Sequence, residues 1–355
     1  MGAMFFGKKD QLVGLDIGSS QIKVAVLKST AKGHVLHKLG MTSIPSGLID
    51  EGRIMDADAV ADIIRTLFKS QRIKHKNVAI STGGYSVVVK TIVLPTVTEK
   101  ELVSSIRTEA EQYIPYDIDD VNLDFQILGP SEFSDDQMNV LLVAVKKDLV
   151  AEYIDLINQA GLNPCIIDVD SFALQNMYES IYQPADDEMA LLVDVGCSKT
   201  SLNILNGKHS MMMRDSASGT AQILDDIMAE IDCSPDRADE ILAGTPDSEI
   251  PQARLEEICF DSIQLWCSEI EAVVKSHISK SNEGDIDKVI ISGGGAFVSG
   301  FVDLLAVELS ATVSIIDPFQ GIIVDHKQFS SSFLHGIRAQ APIAMGLSLR
   351  KMDDK

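Results

Sequence analysis

The sequence predicts an α/β protein of two related lobes facing one cleft, with a smaller α+β subdomain inserted into the first lobe. Three observations carry this. The stretch Leu12 to Leu27, LVGLDIGSSQIKVAVL, sets two apolar runs around a small-residue turn that carries one carboxylate, which is the pattern of a β-hairpin. Leu191 to Leu205, LLVDVGCSKTSLNIL, repeats it, with Asp194, Gly196 and Ser198 in the places of Asp16, Gly18 and Ser20. A third turn, Gly293-Gly294-Gly295, follows the apolar run from Val289 and opens into a helical pattern at Phe301, Leu304, Leu305 and Leu309.

Each turn has a chemical reading. Small residues let backbone N–H groups approach an anionic oxygen with no Cβ in the way, so both hairpins suit a phosphate. Asp16 and Asp194 stand where a carboxylate orients the water shell of a Mg²⁺ ion. A strand–glycine–helix turn lets a nucleotide lie on bare backbone. Taken alone, an Asp-x-Gly turn between strands is more often a plain hairpin; the second copy makes the first informative.

Between these turns, His34 to Ile44 reads as a strand. A helix follows, capped by Asp56 or Asp58, with Val60, Ile63, Ile64, Leu67 and Phe68 on one apolar stripe. Val78 to Gly84 reads as a short buried strand whose glycines make a tight bend, a structural feature rather than a ligand contact. From Val87 the character changes. VVVKTIVLP is a strand, Thr98 to Glu101 a capping box, and Leu102, Ile106 and Ala110 mark a helix ending before Pro115. Strands Leu123 to Leu128 and Asn139 to Val145 flank a polar stretch, and Leu149 to Ala160 is a helix stopped by Gly161.

The second half places helices over Ser218 to Ile231, Pro235 to Leu242 and Arg254 to Ser279, with Trp266 in the core, and a last helix over Ala341 to Arg350. The expected division is a first lobe of residues 4–86 and 165–190 with the C-terminal helix 339–350, an insert of 87–164, and a second lobe of 191–338. Met1-Gly-Ala reads as a vector remnant and Met4 as the native start.

A chain of 355 residues exceeds one ordinary core and favours two domains. A formal charge of -22 speaks against nucleic acid or anionic lipid as a partner of the general surface and favours a basic partner segment. The 5 cysteines are scattered, without a Cys-x-x-Cys pair, which fits reduced thiols in a cytoplasm. No run approaches the ~20 apolar residues of a membrane span. The start lacks a signal-peptide core, and the end, KMDDK, is no amphipathic anchor.

The constellation of turns resembles the actin-like ATPase superfamily, in which phosphate hairpins from two lobes clamp a polyphosphate and a glycine turn carries adenosine. The likeness extends further. Phe5-Phe-Gly-Lys-Lys ahead of the first hairpin, Leu94-Pro, Glu109-Ala-Glu-Gln-Tyr-Ile-Pro-Tyr and Ala144-Val-Lys-Lys look like the PilM family, cytoplasmic actin-like components of type IV pilus assembly machines. Their inserted subdomain is of the kind found in the division protein FtsA. The resemblance spans essentially the whole chain.

It implies ATP and Mg²⁺ as cofactors. Asp16, Gly18, Ser19, Ser20 and Lys23 belong to the first phosphate turn, and Asp194, Gly196, Cys197, Ser198, Lys199 and Thr200 to the second. Gly293, Gly294 and Gly295 lie under adenosine, and Glu240 falls near the ribose and base. Cys197 stands where a small polar residue or alanine is more usual, and Arg214-Asp-Ser-Ala-Ser-Gly-Thr is an unusual entry to the next helix; both leave the phosphate contacts open.

The implied function is an ATP-binding assembly protein with slow or absent turnover. It would bind the cytoplasmic N-terminal tail of a PilN-like inner-membrane protein, with further pilus components as additional partners, and lie in the cytoplasm against the inner membrane. Hydrolysis needs a side chain that orients the attacking water; Asp168 and Asp170 are the candidates, and both also read as helix caps. Two alternatives stand beside this: a small-molecule kinase of the same fold, and an FtsA-like filament former.

Overall fold

A computed structural model describes residues 11–84, 86–131, 134–242, 244–245, 247, 249–279 and 285–352. The proposed start at Met4 and the Phe5 to Lys9 motif lie outside them.

The first lobe opens with the meander β1 (Val13–Ile17), β2 (Gln21–Thr30) and β3 (Gly33–Ser43), followed by the short pair β4 (Ile49–Asp50) and β5 (Arg53–Ile54). Helix α1 (Ala57–Ser70) starts at Asp56, whose carboxylate accepts from the Ala59 N–H at 3.0 Å; Asp58 lies inside the first turn. Strand β6 (Asn77–Thr82) then leads into the insert. This comprises β7 (Val87–Pro95), α2 (Glu99–Ala110), β8 (Val121–Ser131) and β9 (Ser134–Lys146), with sheet order β7-β9-β8. The capping box at Thr98 and Glu101 is formed. Of the polar stretch between the insert's last two strands, Ser131 belongs to β8 and Ser134 to Gln137 belong to β9, with Gln137 in the ladder opposite Pro95.

After the insert come α3 (Lys147–Gln159), β10 (Asn163–Val169) and α4 (Asp170–Tyr182). The second lobe holds β11 (Met189–Val195), β12 (Thr200–Asn206), β13 (His209–Ser216), α5 (Ala221–Ile231), α6 (Pro235–Leu242), α7 (Gln252–Ile278), β14 (Lys288–Ser292), α8 (Phe301–Leu309) and β15 (Thr312–Ile315). Helices α9 (Ser331–Ile337) and α10 (Pro342–Leu349) close the chain.

The duplication seen in the turns extends to whole sheets. The first is ordered β3-β2-β1-β6-β10 and the second β13-β12-β11-β14-β15. In each, a three-strand antiparallel meander is continued by two parallel strands, and parallel neighbours require crossovers. Between the sheets sit α4 and α10. Ala173, Leu174, Tyr178, Ile343 and Leu347 pack against Leu12 and Ala79 on one side and Ala190, Leu192, Leu205 and Ile290 on the other. Gly346 makes this possible, since a Cβ there would stand 1.8 Å from the Ala173 carbonyl oxygen of α4. A bulge at Val26/Leu27 frees the Leu27 N–H, which donates to Ser348 Oγ of α10 at 2.8 Å.

Packing redraws the expected boundaries in two places. Residues 147–164, expected in the insert, pack with the first lobe: Leu149, Tyr153, Leu156 and Ile157 of α3 share a core with Val60, Ile64 and Leu67 of α1, and β10 pairs with β6. The segment from Phe319 to Ile337, expected in the second lobe, also packs on the first, where Phe329, Leu334 and Ile337 cover Ala25, Leu27, Leu36 and Leu39. Trp266 is in the second-lobe core, edge-on to Phe301 with ring centroids 5.3 Å apart.

Candidate functional site

Both hairpin turns are built the same way. The Gly18 N–H donates to the Gln21 carbonyl at 3.0 Å, and the Gly196 N–H to the Lys199 carbonyl at 2.9 Å. Strand register pairs Asp16 with Lys23 and Asp194 with Ser201. Lys199 is thus the counterpart of Gln21, and Ser201 that of Lys23. The turns point at each other: the Ser19 and Ser198 hydroxyls lie 3.0 Å apart. They border a cleft of about 570 Å³ lined by Asp16, Gly18, Ser19, Ser20, Lys23, Asp194, Gly196, Cys197, Ser198 and Lys199.

Four acids and two lysines meet at this end of the cleft. Asp16 and Lys23 face each other across one hairpin at 3.2 Å. Asp170, at the start of α4, holds Lys199 at 2.5 Å. Asp215 on β13 accepts from the Gly84 N–H at 2.6 Å. Burial pushes the Asp16 carboxyl above its ordinary range, opposed by Lys23. Burial, then the charge of Asp16, pushes Asp194 up to about 6. Burial also pushes Asp170 upward, but Lys199 outweighs it and holds the carboxyl below its ordinary range. For Lys199, burial works against the charged form, while Asp170 and Asp215 more than compensate and raise its pKa.

A buried acid, Asp16, and a half-buried one, Asp194, both with raised pKa values and within reach of each other's charge at matching strand ends, suit a divalent cation, which would favour the ionised form of both. No group of three or more His, Cys, Asp or Glu poised to cage a metal occurs among the described residues. A Mg²⁺ ion here would therefore complete its shell with water and phosphate oxygens, its usual habit.

The third turn lies beside the second hairpin, with Ser292 in register with Asp194. Gly293 has φ +85° and an N–H that donates to the Ala339 carbonyl at 2.7 Å; a Cβ on it would meet the Val195 carbonyl oxygen at 2.2 Å. Gly293 and Gly294 line the cleft with Phe297, His335, Gln340, Leu242 and Asp239. The 3₁₀ turn Gly294–Phe297 carries Gly295 away from the lining, packed against the Val195 side chain.

Other expected residues fall outside the lining. Thr200 is buried behind its turn, its hydroxyl donating to the Ser218 carbonyl at 2.7 Å. Glu240 points to solvent and pairs with Arg237 at 2.7 Å, whereas its neighbour Asp239 lines the cleft. Asp168 is buried against Arg350 at 3.0 Å, and of the two acids after β10 it is Asp170 that reaches the cleft. Sequence reasoning gave Gly83 and Gly84 a structural bend in preference to a ligand contact and singled out neither Asp215 nor Asp239, yet all four are in the lining. The glycine pair had a legible signal: it ends β6 as Gly293-Gly294 ends β14, and those strands are counterparts. The two aspartates had indirect ones, in the segment from Arg214 and in the placing of Glu240 near the ribose and base, but which side chain of β13 and of α6 faces the cleft is decided by folding.

Comparison with known proteins agrees with this plan. The chain matches the family model described as "Type IV pilus assembly protein PilM" over residues 14–352. It is similar to a solved structure described as the PilM-PilN type IV pilus biogenesis complex, at 25% identity over 97% of this chain and 99% of that chain, with a TM-score of 0.84. It shares its fold with the ethanolamine utilization protein EutJ from Carboxydothermus hydrogenoformans, at 13% identity over 95% of this chain and 89% of that chain, with a TM-score of 0.56. The duplicated sheets, the cleft between them and a family match running from β1 past α10 make this chain a member of the PilM family of type IV pilus assembly proteins, with the actin-like ATPase fold.

Proposed function

We propose that this chain binds ATP with Mg²⁺ in the cleft and acts as a cytoplasmic adaptor of the pilus machine, docking the cytoplasmic N-terminal tail of a PilN-like inner-membrane protein. The observation that carries the nucleotide half is the meeting of two like-built phosphate turns, with Ser19 and Ser198 3.0 Å apart. Asp16 and Asp194 would hold the Mg²⁺ through water, Lys23 and Lys199 would face phosphate oxygens, and Gly293 and Gly294 would carry the adenosine. Turnover is slow or absent in this reading.

The partner half is supported by the likeness to the PilM-PilN complex. No helix among the described residues is long and apolar enough to cross a membrane, so work at a membrane would run through a tethered partner. The docking groove lies between the first lobe and the insert, with the segment from Thr98 to Tyr113 as one wall. The inner face of α2, Leu102, Ile106 and Ala110, is taken up by the insert's own sheet. Val103 is exposed on its outer face, and Glu111, exposed just beyond the helix, suits a basic residue on the peptide.

Thermal denaturation with MgATP tests the first half: the melting temperature rises with ligand, and no shift at millimolar ATP or ADP would remove it. Capture of a PilN-like tail peptide tests the second, with an insert-deleted variant as the control that should not bind.

A further inference from the structure

Lys199 and Asp170 come from different lobes. Lys199 leaves the second-lobe turn and Asp170 begins α4 after first-lobe strand β10, so their 2.5 Å ion pair spans the phosphate end of the cleft. The first hairpin has no equivalent, since Lys23 pairs with Asp16 on its own hairpin. The space around the pair is fitted to it. A Cβ on Gly83 would stand 2.1 Å from Lys199 Nζ and 2.6 Å from Asp170 Oδ2. The next N–H, of Gly84, donates to Asp215, a second tie between the lobes at the same end.

We propose that the Lys199–Asp170 pair is a latch that competes with phosphate. Lys199 is the ammonium that a terminal phosphate takes from Asp170, and the exchange gives the site its preference for a triphosphate over a bare nucleoside. This rests on the nucleotide reading above. Lys199 touches Asp170 and lines the cavity between the turns. Phosphate oxygens in that cavity would offer the same ammonium a charge-assisted hydrogen bond of the same kind. Asp170 opposes binding by holding the ammonium that favours it.

The test measures dissociation constants of MgATP, MgADP and adenosine for the full chain, for Asp170→Asn, Lys199→Gln and Lys199→Arg, and for the double variant Asp170→Asn/Lys199→Gln. A charge-assisted hydrogen bond lost from the phosphates predicts that Lys199→Gln weakens MgATP by roughly tenfold and leaves adenosine unchanged. Lys199→Arg keeps most of the preference. Asp170→Asn tightens MgATP severalfold, and this gain disappears when Lys199→Gln is already present, because the two act as one unit.

A gain from Asp170→Asn that persists in the Lys199→Gln background would make Asp170 a general repulsive charge and overturn the latch. Equal losses for ATP and adenosine in both single variants would make the pair a plain strut between lobes, which also overturns it. Should Asp170→Asn not fold, Lys199→Gln against Lys199→Arg decides: equal ATP-to-adenosine ratios in the two variants sink the proposal. If the unaltered protein binds adenosine and MgATP equally, the latch fails while the cleft reading stands; if it binds neither, both fall.

Discussion

The two lobes repeat one five-strand plan and differ in what they do with it. In the first, the hairpin closes on itself, with Asp16 and Lys23 paired across adjacent strands. In the second, the hairpin reaches outward: Ser198 meets Ser19, Lys199 takes Asp170, and Asp215 on the neighbouring strand takes the Gly84 N–H. Between their fourth and fifth strands the lobes differ again. The second has a single turn and α8, whereas the first has the insert and α3. Backbone duplication thus supplies two phosphate turns, and the side chains of the second join the lobes around the cleft.

The largest effect tests where the first lobe ends. Deleting 87–164 removes α3 and the first two residues of β10, hence four core side chains of α3 and the start of a sheet strand. Loss of even one large core side chain costs about 2–5 kcal/mol, so this variant should not fold, as read by circular dichroism and solubility. Deleting only 87–146 removes the insert's own core. The cut ends are neighbours, since Lys146 N donates to the Ser86 carbonyl at 3.2 Å. That variant should fold, keep MgATP binding and lose the tail peptide. Full retention of peptide affinity would move the docking surface to the remaining lobes.

The next comparison sets matching glycines against each other. Gly293→Ala forces a Cβ into the Val195 backbone at a φ that L residues rarely adopt, and should cost about 3 kcal/mol or more in urea denaturation. At Gly83 the clash is with the ends of the Lys199 and Asp170 side chains. Gly83→Ala should lose less stability, and its effect should show mainly in the ATP-to-adenosine affinity ratio.

The third concerns the paired acids. Asp194 has its folded-state pKa raised to about 6 from an ordinary 3.8. The folded protein therefore binds the extra proton between these values, and stability falls as pH rises through that window. Asp194→Asn should flatten this slope and gain on the order of 1–2 kcal/mol at pH 7.5 relative to the parent, seen as a change in the pH dependence of urea midpoints. The same substitution, and Asp16→Ala, should weaken MgATP by roughly tenfold if each carboxylate helps hold the ion. Unchanged affinity in both would leave the hairpins as structural turns.

Legibility followed the range of the interaction. Turns, caps and strands are written in neighbouring residues, so the hairpins at Asp16 and Asp194, the Thr98 capping box and helix α6 could be read directly. The allegiance of a segment to one core or another is not local. The apolar stripe of α3 is the same whether it faces the insert or α1, and only the pairing of β10 with β6 decides. The cleft shows the same limit. Gly293 was readable from its own strand and helix, whereas Asp215 and Asp239 reach the cavity through sheet order and helix placement.

The smallest expected effect discriminates two neighbours on α6. Glu240 was the residue expected near the ribose and base, yet it is solvent-exposed and held by Arg237, with Arg237 also holding Asp247 at 2.5 Å. An exposed ion pair of this kind contributes about 0–1 kcal/mol. Glu240→Ala should therefore leave both MgATP and adenosine affinity within about twofold. Asp239 lies one residue earlier and a helical step rotates it onto the cleft wall, where burial and then Asp236 raise its pKa. Asp239→Ala should change adenosine and MgATP affinity together, by several-fold, if the adenosine lies against α6 in the cleft. If Glu240→Ala is the variant that loses affinity, α6 must turn toward the ligand on binding, and the second lobe would supply its base contact from the other face of that helix.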